Sequence, residues 1–172
     1  MSSTEPMQSA KRPRSPLAGP YGHPFHPILV TVPIGAWIAS VVFDIVAASA
    51  SGQREQSFAE GASWLIGIGI VGALLAAAFG LLDLLAIPRG TRAFKTGVTH
   101  LVINDVVVIL FVVDFFVRRA QDHDHFSTGA FVLSLVSVAL LGVSGWLGGM
   151  LAYRYGVRVA DEDTQREGYT TP

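Results

Sequence analysis

The 172-residue chain contains no cysteine, which removes disulfides, thiolate metal sites and cysteine nucleophiles from its chemistry. Charge is also scarce. Asp, Glu, Lys and Arg make up 15% of the residues, where soluble domains carry about a quarter. The deficit is concentrated: residues 28–48 hold no Lys, Arg or Glu and one acid, Asp44. Motifs of soluble chemistry are missing too. There is no HExxH and no P-loop, and Gly67-x-Gly69-x-x-Gly72 has dinucleotide-fingerprint spacing only within an apolar run that no strand precedes. Ser134, Ser137 and Ser144 have no histidine one turn away to serve as a base. The basic residues read as orientation charges and lipid-headgroup contacts, and no nucleic-acid partner is expected.

What is present is long and apolar. Half of the chain (51%) is hydrophobic, gathered into four runs almost free of charge. The first follows two His-Pro pairs, His23-Pro24 and His26-Pro27, and its apolar part extends from Ile28 to Ala48. At about 1.5 Å per residue that part makes a helix of roughly 31 Å, enough to cross a bilayer core. The patterning predicts an all-α, integral-membrane four-helix bundle over residues 21–159, with helices at about 26–48, 62–87, 98–117 and 127–153. The third run is rich in β-branched residues, but barrel strands need only about 9–11 residues, so its length favours a helix. Pro33 predicts a kink with a freed backbone carbonyl. Residues 49–61 read as a polar turn, and residues 1–20 and 160–172 as disordered tails. The apolar run after the basic start is too long for an ordinary signal-peptide core, so the first helix is expected to be retained.

Four crossings place the N-terminal tail, the loop after Ile87 and the C-terminal tail on one side. That side carries Lys11, Arg12, Arg14, Arg89, Arg92, Lys95, Arg154, Arg158 and Arg166, against Arg54, Arg118 and Arg119 on the other. The bias predicts that both termini are cytoplasmic.

Antiparallel threading also sorts the polar residues by depth. His23, His26, Asp83, His100 and Asn104 form an inner layer, which Trp146 and Tyr153 approach, while Asp105 points away. Asp44, Asp114 and the loop Asp122-His123-Asp124-His125 lie toward the opposite face. Ionisable groups at membrane depth tend to face the bundle interior and to pair. The inner layer supports two readings. In one, the histidines bind freed carbonyls as a polar clamp. In the other, His26 and His100, with His23 as an alternative ligand, hold a haem (haem b) or a divalent metal, and Asp83 is a further ligand or the acceptor for the second imidazole nitrogen. Asp44 and Asp114 are either separately solvated or a pair sharing a proton. The His/Asp loop is a candidate surface site for a divalent ion. Gly69, Gly72, Ala76 and Gly80 make a small-residue stripe on helix two. Leu135, Ala139, Gly142, Trp146, Gly149 and Tyr153 share a comparable face on helix four.

The stretches GHPFHPILVTVPIGAWIASVVFD (22–44), FGLLDLLAIP (79–88), GVTHLVINDVVVILF (97–111) and SGWLGGMLAYRYGVRV (144–159) resemble, in that order, the DUF2231 family of bacterial membrane proteins of unknown function. The resemblance implies a multi-pass protein of the bacterial inner membrane. Some relatives are fused or adjacent to Rieske-type iron-sulfur domains, so it also implies a redox setting. This chain has neither that domain nor cysteine, and a redox role would need a membrane-protein partner or a haem in the bundle. The family opening often has a further histidine where this chain has Thr31. The function expected from the sequence is a non-catalytic accessory or structural membrane protein. The alternatives are a haem- or metal-binding electron-transfer component and a small proton-linked transporter.

Overall fold

The computed structural model describes residues 5–12, 15–19, 23–121 and 124–170. Its helices are α1 (Glu5–Lys11), α2 (Phe25–Leu29), α3 (Thr31–Ala48), α4 (Gln53–Ala86), α5 (Arg92–Ala120), α6 (Thr128–Gly149) and α7 (Glu162–Glu167), with a π-helical turn, Met150–Arg154, continuing α6. Four spans are long and apolar enough to cross a bilayer: Phe25–Ala48, Gln53–Ala86, Arg92–Ala120 and Thr128–Arg154. No more than 28% of the most apolar window of any span is buried. Trp64, Leu74, Ile109 and Phe116 all stand exposed on the outside. An apolar surface that continuous is stable in lipid rather than in water.

Two helices begin earlier than hydropathy suggests. α4 starts at Gln53, nine residues before the apolar run, because Gln-Arg-Glu-Gln is good helix-forming sequence and its first turns still bury Ala59 and set Phe58 edge-on to Phe43 at 5.0 Å. α5 starts at Arg92 behind Thr91, whose hydroxyl accepts from Phe94 N at 3.1 Å. The turn before it needs a left-handed residue, supplied by Gly90 at φ +81°. In the first span the irregularity falls at Val30, between α2 and α3. Pro33 has no N–H for the Leu29 carbonyl, while the Thr31 hydroxyl donates to the Ile28 carbonyl at 2.7 Å.

The small residues of α4 seat the first span. A Cβ on Gly72 would lie 2.7 Å from Val32, one on Gly61 would lie 2.8 Å from Phe43, and one on Gly69 would overlap the Trp37 indole. Trp37 in turn stacks on Phe111 of α5, with centroids 4.2 Å apart and planes 12° from parallel. With Ile66, Ala73 and Val107 these two rings form the buried apolar centre of the bundle.

α6 packs through a different face from the one its glycines mark. Nothing lies within 4 Å of a Cβ on Gly142, and one on Gly149 would meet only Tyr153 of the same span. The expected packing stripe of Leu135, Ala139, Gly142 and Trp146 is exposed, whereas Ala130, Ser134, Ser137 and Ser144 are buried. Lipid reverses the usual logic: apolar side chains can face out at no cost, and hydroxyls turn inward to find acceptors. The Ser137 hydroxyl finds one in the Leu133 carbonyl at 2.7 Å.

Both tails carry a short helix, and the two helices meet. Lys11 Nζ is 3.0 Å from Glu162 Oε1, and Arg158 N donates to Ala10 O at 3.0 Å. Asp161 caps α7, accepting from Thr164 N at 2.9 Å. Glu162's own backbone N–H, and then Lys11, hold its carboxyl below the ordinary value, so the contact stabilises the folded state above that value and fades as pH falls through the lowered one. We expect amide protection, taken relative to the intrinsic exchange rate, to fall in residues 5–12 and 161–168 below about pH 4 and to stay constant between about pH 6 and 8.

Candidate functional site

Two polar layers lie on either side of the Trp37–Phe111 centre. The outer one is a closed ion network. Arg118, in the last turn of α5, is bidentate to Asp44 of α3: Nη1–Oδ1 is 2.7 Å and Nη2–Oδ2 is 2.8 Å. Its Nε donates to Asp114 Oδ1 one turn earlier at 3.1 Å, and Nη2 also reaches Ser134 Oγ of α6 at 3.2 Å. The Ser134 hydroxyl donates to the second Asp114 oxygen. Asp44, Asp114 and Ser134 are at most 1% exposed and Arg118 is 5% exposed, so three helices are tied together out of contact with solvent. Asp44 and Asp114 do converge, but through a guanidinium that engages both. Such a fork gives carboxylates geometric specificity as well as charge.

Of the two consecutive arginines at the end of α5, only Arg118 enters this network. Arg119 stays exposed with its guanidinium 5.2 Å from the Phe115 ring centre and 5.9 Å from that of Trp64. In the adjoining loop, Asp122 and His123 lie outside the described residues. His125 Nδ1 is 3.7 Å from Glu55 Oε1, which also accepts from Phe126 N at 3.3 Å.

The inner layer brings two imidazoles together. His26 Nδ1 lies 2.8 Å from the Ala76 carbonyl of α4, and His100 Nδ1 lies 2.9 Å from the Ser144 carbonyl of α6. A carbonyl only accepts, so each Nδ1 carries a proton, and in the neutral ring the lone pair is on Nε2. At His100 that lone pair faces Asn104 Nδ2 at 3.1 Å, and the same amide nitrogen donates to the His100 carbonyl at 2.9 Å. The ring centroids are 6.3 Å apart and the planes are nearly perpendicular, at 87°. Ser144 Oγ is 3.0 Å from His100 Nδ1, a serine–histidine contact across helices that no spacing along one helix reveals. Because that nitrogen already donates to a carbonyl, the hydroxyl can only accept there and is not activated as a nucleophile.

Glycines make room for both rings. A Cβ on Gly80 would sit 2.9 Å from His26 Nδ1, and one on Gly148 would sit 3.3 Å from His100 Cε1. We expect Gly80→Ala to push the His26 ring off its carbonyl and lower stability by about 1–3 kcal/mol, measured by thermal unfolding in detergent.

The remaining inner residues divide. His23 is exposed ahead of α2. Asp83 does not hold an imidazole nitrogen, the role its depth suggests, because backbone carbonyls take that place. Its ion-pair partner is Arg158, with Nε 2.9 Å from Oδ1, a close charge contact rather than an aligned hydrogen bond. Arg158 is buried, adopts a left-handed φ of +59°, and donates from Nη2 to the Ala18 carbonyl at 2.9 Å. Trp146 and Tyr153 do not join the layer. They are 75% and 93% exposed, and Ser144 and Gly148 hold their expected place beside His100.

Sequence reasoning missed Arg118, Arg158, Ser134 and Ser144 as members of these layers. For Arg118 a signal existed: it lies four residues after Asp114 in a run otherwise free of charge, so both fall on one helical face. For Arg158 there was none, because a left-handed turn after the π-helical segment aims it back at Asp83.

Among the described residues, no group of three His, Cys, Asp or Glu side chains is placed to hold a metal ion. A family model described as "Predicted membrane protein (DUF2231)" matches residues 22–161. No curated protein and no solved structure matches the chain.

Proposed function

The chain belongs to the DUF2231 family of predicted membrane proteins, and from that membership and the site geometry we propose that it is a non-catalytic accessory or structural module of the bacterial inner membrane. The observation that carries this reading is the Asp44–Arg118–Asp114–Ser134 network. Both carboxylates and the guanidinium that could have done acid–base work are engaged with one another, and what they accomplish is to fix α3, α5 and α6 at one depth. A proton-linked transporter draws less support. The stacked Trp37 and Phe111, with Ile66 and Val107, stand between the two polar layers.

In this reading both termini are cytoplasmic. Setting aside Arg118 and Arg158, which are held in buried ion pairs, eight basic residues remain on the terminal side against Arg54 and Arg119 on the other. Reporter fusions at both ends should be active only in the cytoplasm, and reporters inserted near residues 52 and 122 only outside it.

Reconstitution tests the module reading against transport. Proteoliposomes carrying the wild-type protein should dissipate an imposed pH gradient no faster than empty vesicles. Proton flux well above that background, abolished by Asp44→Asn, would replace the module with a transporter.

A further inference from the structure

We propose that His26 and His100 are the two axial ligands of a haem-type iron held between the inner ends of the four spans. This goes beyond the module reading and does not rest on it. Tautomer and orientation come first. Each imidazole has its Nδ1–H fixed by the carbonyl of a neighbouring helix, Ala76 of α4 or Ser144 of α6, which leaves Nε2 as the basic nitrogen. A backbone carbonyl on the other ring nitrogen is the usual second partner of a metal-ligating histidine, because it fixes the ring and raises its basicity.

Distance comes second. Two metal–nitrogen bonds of about 2.0–2.1 Å plus about 1 Å from each nitrogen to its ring centre span about 6 Å, and the centroids are 6.3 Å apart. The 87° angle between the planes is compatible with axial ligation, which leaves each ring free to turn about its own metal–nitrogen bond.

Ligand count then decides between an iron that brings its own equatorial donors and a bare ion. A zinc ion takes about four protein or water ligands and harder cations take about six or more. Among the described residues no cluster offers even three such side chains. Two imidazoles from different helices leave a bare ion to be held largely by water, whereas a macrocycle supplies the remaining donors of an iron.

The setting agrees. The outer network is fully buried, whereas His26, His100, Asn104, Gly80 and Gly148 are all half-exposed, so the inner end is the looser one. Glycines at 80 and 148 supply the room that the rings occupy. Asn104 now donates to the His100 lone pair and to the His100 carbonyl, so it keeps an acceptor when the lone pair goes to iron. One turn along α4 from Gly80, Asp83 holds Arg158, whose Nη1 is buried with no hydrogen-bond partner among the described residues. That cation suits the acidic substituents at one edge of haem.

The test is a titration of purified full-length protein in detergent with hemin. The expected result is saturation at one equivalent with the absorption and electron paramagnetic resonance spectra of low-spin, bis-imidazole iron. His26→Gln and His100→Gln keep an N–H for the Ala76 and Ser144 carbonyls, and each should weaken hemin binding by at least about tenfold. His100→Met should retain one equivalent with a changed low-spin spectrum, a readout that a purely structural role would not produce. Circular dichroism melting shows which variants are folded. A folded wild-type protein that takes up no hemin stoichiometrically, or takes it up unchanged in both folded Gln variants, would overturn the assignment. Colour that persists in those variants is adventitious haem. Such a failure leaves the module reading intact, since that reading is tested by proton flux.

Discussion

Arg118→Met is expected to destabilise the protein by about 3–5 kcal/mol, because it orphans two buried carboxylates at once. The substitution leaves Asp44 and Asp114, at 1% and 0% exposure, facing each other with no cation between them. Neither can be rehydrated at that depth, so one or both must take up a proton or the helix ends must part. Arg118→Lys should rescue little. An ammonium cannot supply the fork that meets both Asp44 oxygens while Nε reaches Asp114. Removing all three charges together, as Asp44→Leu, Arg118→Met and Asp114→Leu, should recover most of the loss, because no orphan charge remains and the desolvation cost disappears with the pair. Thermal unfolding in detergent, read by tryptophan fluorescence and by retained monodispersity, separates these outcomes. A triple variant no more stable than Arg118→Met would show that the network contributes more than the avoidance of buried charge.

Gly69→Val should have the second-largest effect, and it acts by shape alone. Any Cβ at position 69 overlaps the Trp37 indole, which is 2% exposed and cannot swing away because its far face is stacked on Phe111 and its Nε1 donates to the Ile66 carbonyl at 3.3 Å. α3 must therefore lift from α4, at a cost of about 1–3 kcal/mol or more for an overpacked core. Gly142→Val is the matched control: a Cβ there meets nothing within 4 Å, so the change should be close to neutral in the melting assay. A comparable loss at both positions would mean that position 142 is covered by something outside the single chain.

That contrast shows where periodicity stops being informative. The glycines at 69, 72 and 80 and the glycine at 142 all look like packing positions in sequence, because spacing along a helix locates a face without saying what the face meets. On α4 the stripe receives Trp37, Val32, Pro33 and His26; on α6 the equivalent stripe faces outward, and a row of serines packs instead. Helix order put Asp44 at the height of Asp114 and His26 at the height of His100, since four antiparallel spans leave few residues at any one height. That the carboxylates meet through Arg118 and that the two imidazole rings stand 6.3 Å apart came only from the fold. Helix order failed for Asp83, whose partner lies beyond the last span in a stretch with no periodicity to read.

Composition, hydropathy and the antiparallel order of the runs by themselves pointed to an all-α fold, to four helices long and apolar enough to span lipid, and to polar groups sorted by depth. Each of these follows from the cost of exposing backbone and charge in a medium without water. Only the folded arrangement decided which arginine of a consecutive pair was buried, which nitrogen of each imidazole was left basic, and which face of α6 was turned inward. Those outcomes depend on a donor and an acceptor from different helices meeting within about 3 Å, and sequence order does not encode that distance.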